Sequence, residues 1–561
     1  MDSNWVCQDF RNAETTVFGA LQDAASRYTS APAIGFFGRT ISFDALISDI
    51  EDTARALLFA GVKQGDAVTF MLPNCPQAVS VFYAINRIGA VANMIHTLSS
   101  GDEISYYLRK AKSQYIVTLD SFFEKVREAT VDQNNVKIIL TSISEEMPLL
   151  TKIGFAVKNR GKKSPPVSAE HARYLRELKQ QGKATDLPPI CYKEDHTSVI
   201  FYSGGSTGLP KGICLSDYNM NSLGIQVADS VGHRITPGLK FLSAMPLFHG
   251  FGLGVGIHAF ICNGMECVLV PQFTLDAYTK TLLKEKTNML AIVPSMLEAF
   301  LRTDAFEGKD LSFLMGIFCG ADSCPAELQE RMNAFLKAHH CSEQVREGYG
   351  LTETVTACLL NPLGHIKVGS IGLPMGETKC RIVKPGTFED LPTGESGELI
   401  LAGPSVMLGY LDDPQETAKV IRSENGERWL FTGDMCYMDE DGYVFFVQRL
   451  KRLIITNGYN VSPVQVELVI NGVEGVQTSC VVGVKDKFAG QKVVACVVPA
   501  NGSDEKSLRT KVLLECRQKL AEYAVPTGIR FLPELPLTKM GKIDFTRVEK
   551  EQNEKEGKPD A

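Results

Sequence analysis

The run YSGGSTGLPKG, residues 202–212, places four glycines, three hydroxyl side chains besides Tyr202 and the single cation Lys211 in one short stretch. Glycine lets backbone amides approach a ligand closely, and hydroxyls add further donors. Ser203, Gly204, Gly205, Ser206, Thr207 and Gly208 therefore form a candidate anion cradle, with Lys211 as a mobile point charge. A polyphosphate is the guest that this chemistry suits. The ordinary phosphate loop reads G-x-x-x-x-G-K-[ST] and opens a helix, whereas here Pro210 separates the loop from Lys211 and Gly212 follows it. That excludes an ordinary P-loop NTPase. TSVIFY, residues 197–202, is apolar and β-rich, so the loop is expected to leave a buried strand; a flexible surface turn is the plainer alternative.

Four further stretches follow in a fixed order: PLFHGFG at 246–252, GYGLTET at 348–354, TGD at 432–434 with RLKRLIITNGYNVSP at 449–463, and PLTKMGKID at 536–544. Each has a plain reading when taken singly. A lone histidine among apolar residues is usually a satisfied core residue, Thr-Glu-Thr a helix cap, Thr-Gly-Asp a turn, and a lysine beside glycine a solvated side chain. As an ordered set they resemble the adenylate-forming (AMP-binding) superfamily of acyl-CoA synthetases, luciferases and peptide-synthetase adenylation domains, over nearly the whole chain.

The resemblance implies a two-step reaction. A carboxylate attacks the α-phosphorus of ATP to give acyl-AMP and pyrophosphate, and the thiol of coenzyme A then displaces AMP. Joining two anions demands cations, amide donors and accurate positioning more than it demands a base. By resemblance, the loop at 203–211 cradles the β and γ phosphates, and Tyr349 lies against adenine, with Gly348 and Gly350 keeping the backbone slim beside it. Thr352 reaches a phosphate oxygen, while Glu353 and Thr207 hold Mg2+, a hard cation satisfied by few carboxylates and phosphate oxygens. Asp434 accepts the ribose hydroxyls and Arg449 contacts ribose or phosphate. Lys542 binds the carboxylate oxygen and α-phosphate as charge develops, then leaves as the small domain turns at Lys451. Gly458 borders the tunnel for the pantetheine arm, and His249 gates the acyl site and contacts the carboxylate. Two positions depart from relatives. Gln448 stands where Asp or Gly is common, which alters local hydrogen bonding, and Ile455 replaces a lysine of luciferases, which favours thioester formation over light emission.

Phe251, Val293, Gly320 and Ala321 fall where relatives line the acyl pocket. The stretch at 72–96 and the basic residues near 160 look most like bacterial fatty-acyl-CoA synthetases, so a medium- or long-chain fatty acid is the expected substrate. The segment SAMPLFHGFGLG is neutral and lacks the aspartate with which amino-acid-activating relatives grip an amine. An aryl or sterol acid remains an alternative, as does an acyl-AMP ligase that loads a carrier protein instead of free coenzyme A. GADSC at 320–324 superficially resembles a carrier attachment site, but Ser323 is expected inside the α/β region and not on an exposed helix start.

The elements that position these residues follow from composition and pattern. A chain of 561 residues exceeds the size of one growing core, and 44% hydrophobic with 22% charged residues marks a folded, globular protein. A net charge of −7 argues against general nucleic-acid binding, without excluding a local phosphate site. No obligate protein partner is evident. The fifteen cysteines include no C-x-x-C pair and read as buried thiols of a reducing compartment. With no basic-then-apolar leader at the amino terminus, a cytoplasmic location is expected. HGFGLGVGIHAFICNGMECVLV reads as buried helix and strand, not a membrane span.

Residues 42–135 alternate helical patterns with β-rich runs such as AVTFML and YIVTL, a βα rhythm that recurs at FLSAMPL, ECVLVP, MLAIVPS and FLMGIFCG. Residues 143–190 read as a polar, basic excursion, a solvated loop and helix, with peripheral membrane contact as the alternative. Short strands from about 367 suggest a β-rich lobe, and the polar tail is expected to fray. The expected architecture is α/β. A large multi-subdomain N-terminal domain, residues 1–448, holds two parallel α/β sheets plus a small β-rich lobe; a small mobile α+β C-terminal domain, residues 449–561, carries Lys542.

Overall fold

The computed structural model describes residues 10–133, 135–158, 172–203, 210–232, 235–452, 454–456, 459–486, 489–500, 502–520, 522–538 and 543–556. The chain divides into two compact units. The first is Met1–Cys380 with Ile400–Phe431 and Asp441–Val444; the second is Arg381–Leu399 with Thr432–Glu440 and Phe445–Ala561.

Two large sheets build the first unit. In the eight-stranded sheet the order is Gly409–Tyr410, Lys211–Ser216, Thr197–Ser203, Val91–Met94, Ala67–Met71, Tyr115–Leu119, Lys137–Thr141 and Ala172–Tyr174. From Thr197–Ser203 onward every neighbour is parallel. The strand YIVTL is buried at every position, which requires helices over both faces of the sheet. One of them, Pro76–Arg87, starts on a proline whose missing N–H costs nothing at a first helical position, and its residues from Pro76 to Asn86 are all buried. The helix Gly101–Lys110 opens on a reciprocal cap: the Glu103 N–H donates to the Ser100 hydroxyl, and the Ser100 N–H donates to the Glu103 carboxylate.

The nine-stranded sheet runs Leu373–Pro374, Leu359–Leu360, Val345–Tyr349, Gly316–Cys319, Met289–Ile292, Lys240–Ser243, Glu266–Leu269, Pro32–Phe36 and Arg39–Ser42. Its interior pairs are parallel and its edges antiparallel. The βα rhythm of the sequence thus becomes two α/β layers. The glycine-rich apolar segment forms a wide π-type helix, Phe251–Ala259, followed by the strand Glu266–Leu269. Within that helix His258 is a core residue. Its Nδ1 lies 3.0 Å from the Tyr83 hydroxyl and its Nε2 3.0 Å from Asn221 Oδ1, and burial lowers its pKa to about 4, so it stays neutral. Among the described residues no helix is long and apolar enough to cross a membrane.

Within the region 143–190, the helix Leu149–Lys158 exposes Leu149 and Ile153 as the expected solvated helix would, residues 159–171 lie outside the described residues, and residues 172–181 depart from the expected excursion. Ala172–Tyr174 joins the eight-stranded sheet beside Lys137–Thr141, with Ile138 opposite Ala172. The following helix, Leu175–Gln181, buries Leu175 and Leu178 on one face, and Lys179 pairs with Asp49 at 2.6 Å. Three-residue spacing of two leucines is too short a signal to separate such a helix from a loop in a polar sequence.

Residues 379–449 supply a five-stranded sheet of Lys379–Val383, Gly397–Ala402, Ile421–Glu424, Glu427–Met438 and Val444–Arg449. The described residues from 454 onward, all in the second unit, are α+β. A long antiparallel ribbon, Val476–Asp486 with Gly490–Pro499, carries Ile454–Thr456, Tyr459–Val461 and Gly528–Phe531. Strand alternation sends Val481, Val493, Ala495 and Val497 to one core and Cys480, Val482, Val484 and Cys496 to another. Helices Pro463–Asn471 and Glu505–Lys519 fill the first with Val466, Ile470, Leu508 and Val512, and Phe545–Glu556 sends Val548 into the second. The cysteines of the described residues are free thiols, most of them buried.

Candidate active site

Ser203 and Lys211 are opposite one another in an antiparallel pair, so the strands Thr197–Ser203 and Lys211–Ser216 are the two arms of a hairpin. The loop leaves a buried strand, as the sequence reading requires, and returns as a strand where the ordinary phosphate loop would open a helix. Gly204, Gly205, Ser206, Thr207 and Gly208 lie outside the described residues, as do Gly458 and Lys542.

Lys211 sits at the root of that hairpin in an environment built by the edge strand Gly409–Tyr410, which pairs with Ile213 and Cys214. The Lys211 ammonium lies 4.8 Å from the centre of the Tyr410 ring and 2.5 Å from Glu416 Oε2. Glu416 is placed by the start of helix Pro414–Val420, where its N–H donates to Asp413 Oδ1 at 3.0 Å. Hydrogen bonds from Lys211 and Lys419 hold the Glu416 carboxyl down at about 2. The Tyr410 hydroxyl in turn donates to Glu353 Oε1 at 2.9 Å. Burial, with the Glu353 charge beside it, pushes that phenol well above its usual range. Tyr410 and Glu416 escape the sequence reading, yet they join the anion-loop cation to the carboxylate assigned to magnesium.

The GYGLTET stretch is held by its backbone. Val345–Tyr349 is a parallel neighbour of Gly316–Cys319, and a short turn, Thr352–Thr354, follows, with the Thr354 hydroxyl accepting from the Leu351 N–H at 3.1 Å. Val355 then adopts φ +62° while fully buried, an unusual conformation for a β-branched residue. Its carbonyl enters space that only a glycine leaves open, because a Cβ on Gly250 would stand 1.5 Å from Val355 O. A Cβ on Gly350 would stand 1.7 Å from Thr356 O. The first contact sets the PLFHGFG stretch against the residue that follows GYGLTET, and the second folds GYGLTET against its own continuation.

Between them opens a small, largely apolar cavity of about 60 Å³. Phe251, Val255, Gly320, Ala321, Leu359 and Met375 line it, together with Gly348, Tyr349 and Gly350. The expected acyl-pocket residues Phe251, Gly320 and Ala321 therefore share one cavity with the expected adenine-side tyrosine. Val293 is not among the lining residues; it packs against the hydrophobic core. His249 belongs to an aromatic cluster with Phe248 and His96, its ring 4.6 Å and 6.5 Å from theirs by centroid. His96 closes the stretch 72–96, where nothing local marks it as a partner of His249. Ser323 lies within the α/β unit as expected, but it is exposed and stands three residues ahead of helix Ala326–Ala338, which corrects the expectation that it would be away from an exposed helix start.

Glu347, immediately before the motif, is another residue without a sequence signal. It is buried at 3% exposure, and its Oε1 accepts the Cys324 N–H at 3.0 Å. Its Oε2 has no hydrogen-bond partner among the described residues, and burial pushes the carboxyl up to about 7. Through Cys324 it pins residues 320–324, whose first members line the cavity.

In the second unit Asp434 is 1% exposed, and Arg449 Nε lies 3.3 Å from its Oδ1. The Asp434 N–H donates to the Thr432 hydroxyl, and the Gly433 N–H donates to Glu398 Oε1, so the Thr-Gly-Asp turn is fixed locally. Gln448 is buried with its Oε1 unpartnered among the described residues.

The apolar cavity is lined on one side by the glycine-flanked Tyr349, and the Lys211 ammonium is linked through Tyr410 to Glu353 of the same motif. The chain belongs to the AMP-binding enzyme family: residues 21–411 match the AMP-binding enzyme model and 465–542 that of the AMP-binding enzyme C-terminal domain. It is 32% identical over 543 residues to a long-chain-fatty-acid–CoA ligase of Bacillus subtilis, covering 96% of this chain and 95% of that one. It is 30% identical over 496 residues to a probable 4-coumarate–CoA ligase of Dictyostelium discoideum, covering 88% and 87%. In fold it is similar to ATP-bound MatB from Rhodopseudomonas palustris, with a TM-score of 0.82 at 24% identity over 96% of this chain and 99% of that one.

Proposed function

We infer that this chain is an ATP-dependent, AMP-forming acid:CoA ligase acting on a medium- or long-chain fatty acid. A carboxylate oxygen forms a bond to the α-phosphorus as the bond to pyrophosphate breaks. The coenzyme A thiolate then attacks the acyl carbonyl and AMP departs. The observation that carries this reading is the shared cavity: Phe251, Gly320 and Ala321 give an apolar place for the acid directly beside Tyr349 and Gly350.

Each assigned residue keeps the part that its chemistry supports. Lys211 offers charge to the phosphates, and Thr352 a hydroxyl. Glu353 offers a hard carboxylate oxygen, which with Thr207 fits a magnesium ion that also binds phosphate oxygens; the ion supplies charge neutralisation at the phosphates. Asp434 and Arg449 form a pair suited to ribose hydroxyls, His249 guards the acid, Gly458 the thiol arm, and Lys542, in the mobile domain read at 449–561, meets the charge that develops at the α-phosphorus. The name of the Bacillus subtilis relative favours a fatty acid, and that of the Dictyostelium relative keeps an aryl acid as the second reading. Pyrophosphate release, measured over a panel of fatty, aryl, sterol and amino acids with coenzyme A, tests it. Turnover should peak with medium or long fatty acids and consume coenzyme A; preference for aryl acids, or adenylate formation without coenzyme A consumption, overturns the substrate or the acceptor respectively.

A further inference from the structure

Lys211 is held by a carboxylate on a helix that the reaction chemistry does not call upon. We propose that Glu416 competes with the polyphosphate for Lys211, so that the Glu416–Lys211 ion pair sets the affinity for MgATP. The proposal rests on Lys211 being a phosphate contact.

The pair is placed, not incidental. Lys211 and Glu416 are separated by 205 residues, and their side chains are only 17% and 25% exposed. The Tyr410 ring beneath the ammonium limits the directions from which an anion can reach it. Glu416 cannot swing away with its backbone, because the start of its helix is sewn to the Tyr410 segment: the Tyr410 N–H donates to the Thr417 hydroxyl at 2.9 Å. A polyphosphate approaching Lys211 therefore meets a fixed negative charge within bonding distance of the same cation. Like charges around one ammonium repel, and one of the three ammonium donors is already engaged. The displaced carboxylate has somewhere to go, since Lys419 lies one turn further along the helix and already bonds Glu416. Lys419 thus acts as the relief partner that lets Glu416 release Lys211. The same arrangement connects the cation to Glu353 through the Tyr410 hydroxyl, so a phosphate that draws Lys211 off the ring acts beside the magnesium carboxylate.

The test is equilibrium binding of MgATP to the full-length protein, with steady-state kinetics alongside. Glu416→Gln keeps the side-chain shape and removes the charge. It should tighten MgATP binding roughly three- to tenfold, the range expected of a partly buried ion pair, leave the acid KM unchanged, and lose the difference at high salt. Glu416→Asp should fall between the two proteins. Should Glu416→Gln fail to fold, Lys419→Gln serves in its place: depriving Glu416 of its second partner should weaken MgATP binding about two- to threefold. Unchanged or weaker binding in Glu416→Gln, or unchanged binding in Lys419→Gln, overturns the competition. Lys211→Gln in parallel separates the two readings. If it leaves MgATP binding intact, the phosphate role of Lys211 falls; if it weakens binding while Glu416→Gln does not tighten it, only the competition falls.

Discussion

Replacing Glu347 with glutamine should make the protein more stable at alkaline pH and leave it nearly unchanged at acid pH. The carboxyl is 3% exposed, one oxygen holds the Cys324 N–H, and the other has no partner among the described residues. Burial raises its pKa from 4.5 to about 7. A group that binds its proton more tightly when folded contributes stability that is fully present below the unfolded value and is lost as pH rises through the folded one. Each pH unit of that window is worth about 1.4 kcal/mol, so between pH 4.5 and pH 7 the native protein loses on the order of 3 kcal/mol through this one side chain. The amide keeps an oxygen for the Cys324 N–H and cannot ionise. Melting curves of wild type and Glu347→Gln should therefore nearly coincide near pH 5 and separate towards pH 8, where the variant should melt roughly 3 °C higher. Since Glu347 pins residues 320–324 at the cavity wall, the KM for the acid should also lose its pH dependence around neutrality in the variant, while that for MgATP should not. Parallel melting curves from pH 5 to pH 8 would refute the argument, because they would mean that Glu347 is ionised throughout or reaches water.

The remaining predictions concern packing and nucleotide affinity. Gly350→Ala places a methyl 1.7 Å from Thr356 O, and since the obstacle is backbone, the motif must move by an ångström or more. Overpacking of this kind costs about 1–3 kcal/mol, and the displacement should lower adenylation by about a hundredfold. Gly348→Ala, whose Cβ would meet Leu359 O at 3.0 Å, is the milder control; equal activity in the two variants would remove the close-approach argument. Asp434→Ala should raise the dissociation constants for both MgATP and AMP roughly tenfold or more, the size of a lost charge-assisted hydrogen-bond pair, with the acid KM unchanged. Nucleotide binding at wild-type strength would take Asp434 out of the ribose site.

The parts of the fold that sequence made legible are those with a local cause. Runs such as YIVTL and AVTFM can only be strands covered on both faces, and the alternation with helical patterns implies parallel sheets. The β-rich run before the loop at 203–211 was legible as a buried strand, and Thr197–Ser203 is one, paired with Lys211–Ser216. What stayed hidden depends on distance along the chain. Glu416 reaches Lys211, and Tyr410 reaches Glu353, only because the short strand Gly409–Tyr410 adds to the edge of the sheet at Ile213 and Cys214. Neither residue stands in a stretch whose composition announces chemistry. His96 meets Phe248 and His249 across a similar separation. Glu347 looks like any strand carboxylate until its burial is known. The return of residues 172–181 to the eight-stranded sheet was obscured by their polar, basic surroundings, where two leucines carry the whole signal.

If this protein joins a carboxylic acid to the α-phosphorus of ATP, exchange of labelled pyrophosphate into ATP, with magnesium present and coenzyme A omitted, measures that step alone. The exchange should require a fatty acid and disappear when the acid is left out. Exchange without any acid, or none with any member of a broad acid panel, would contradict it.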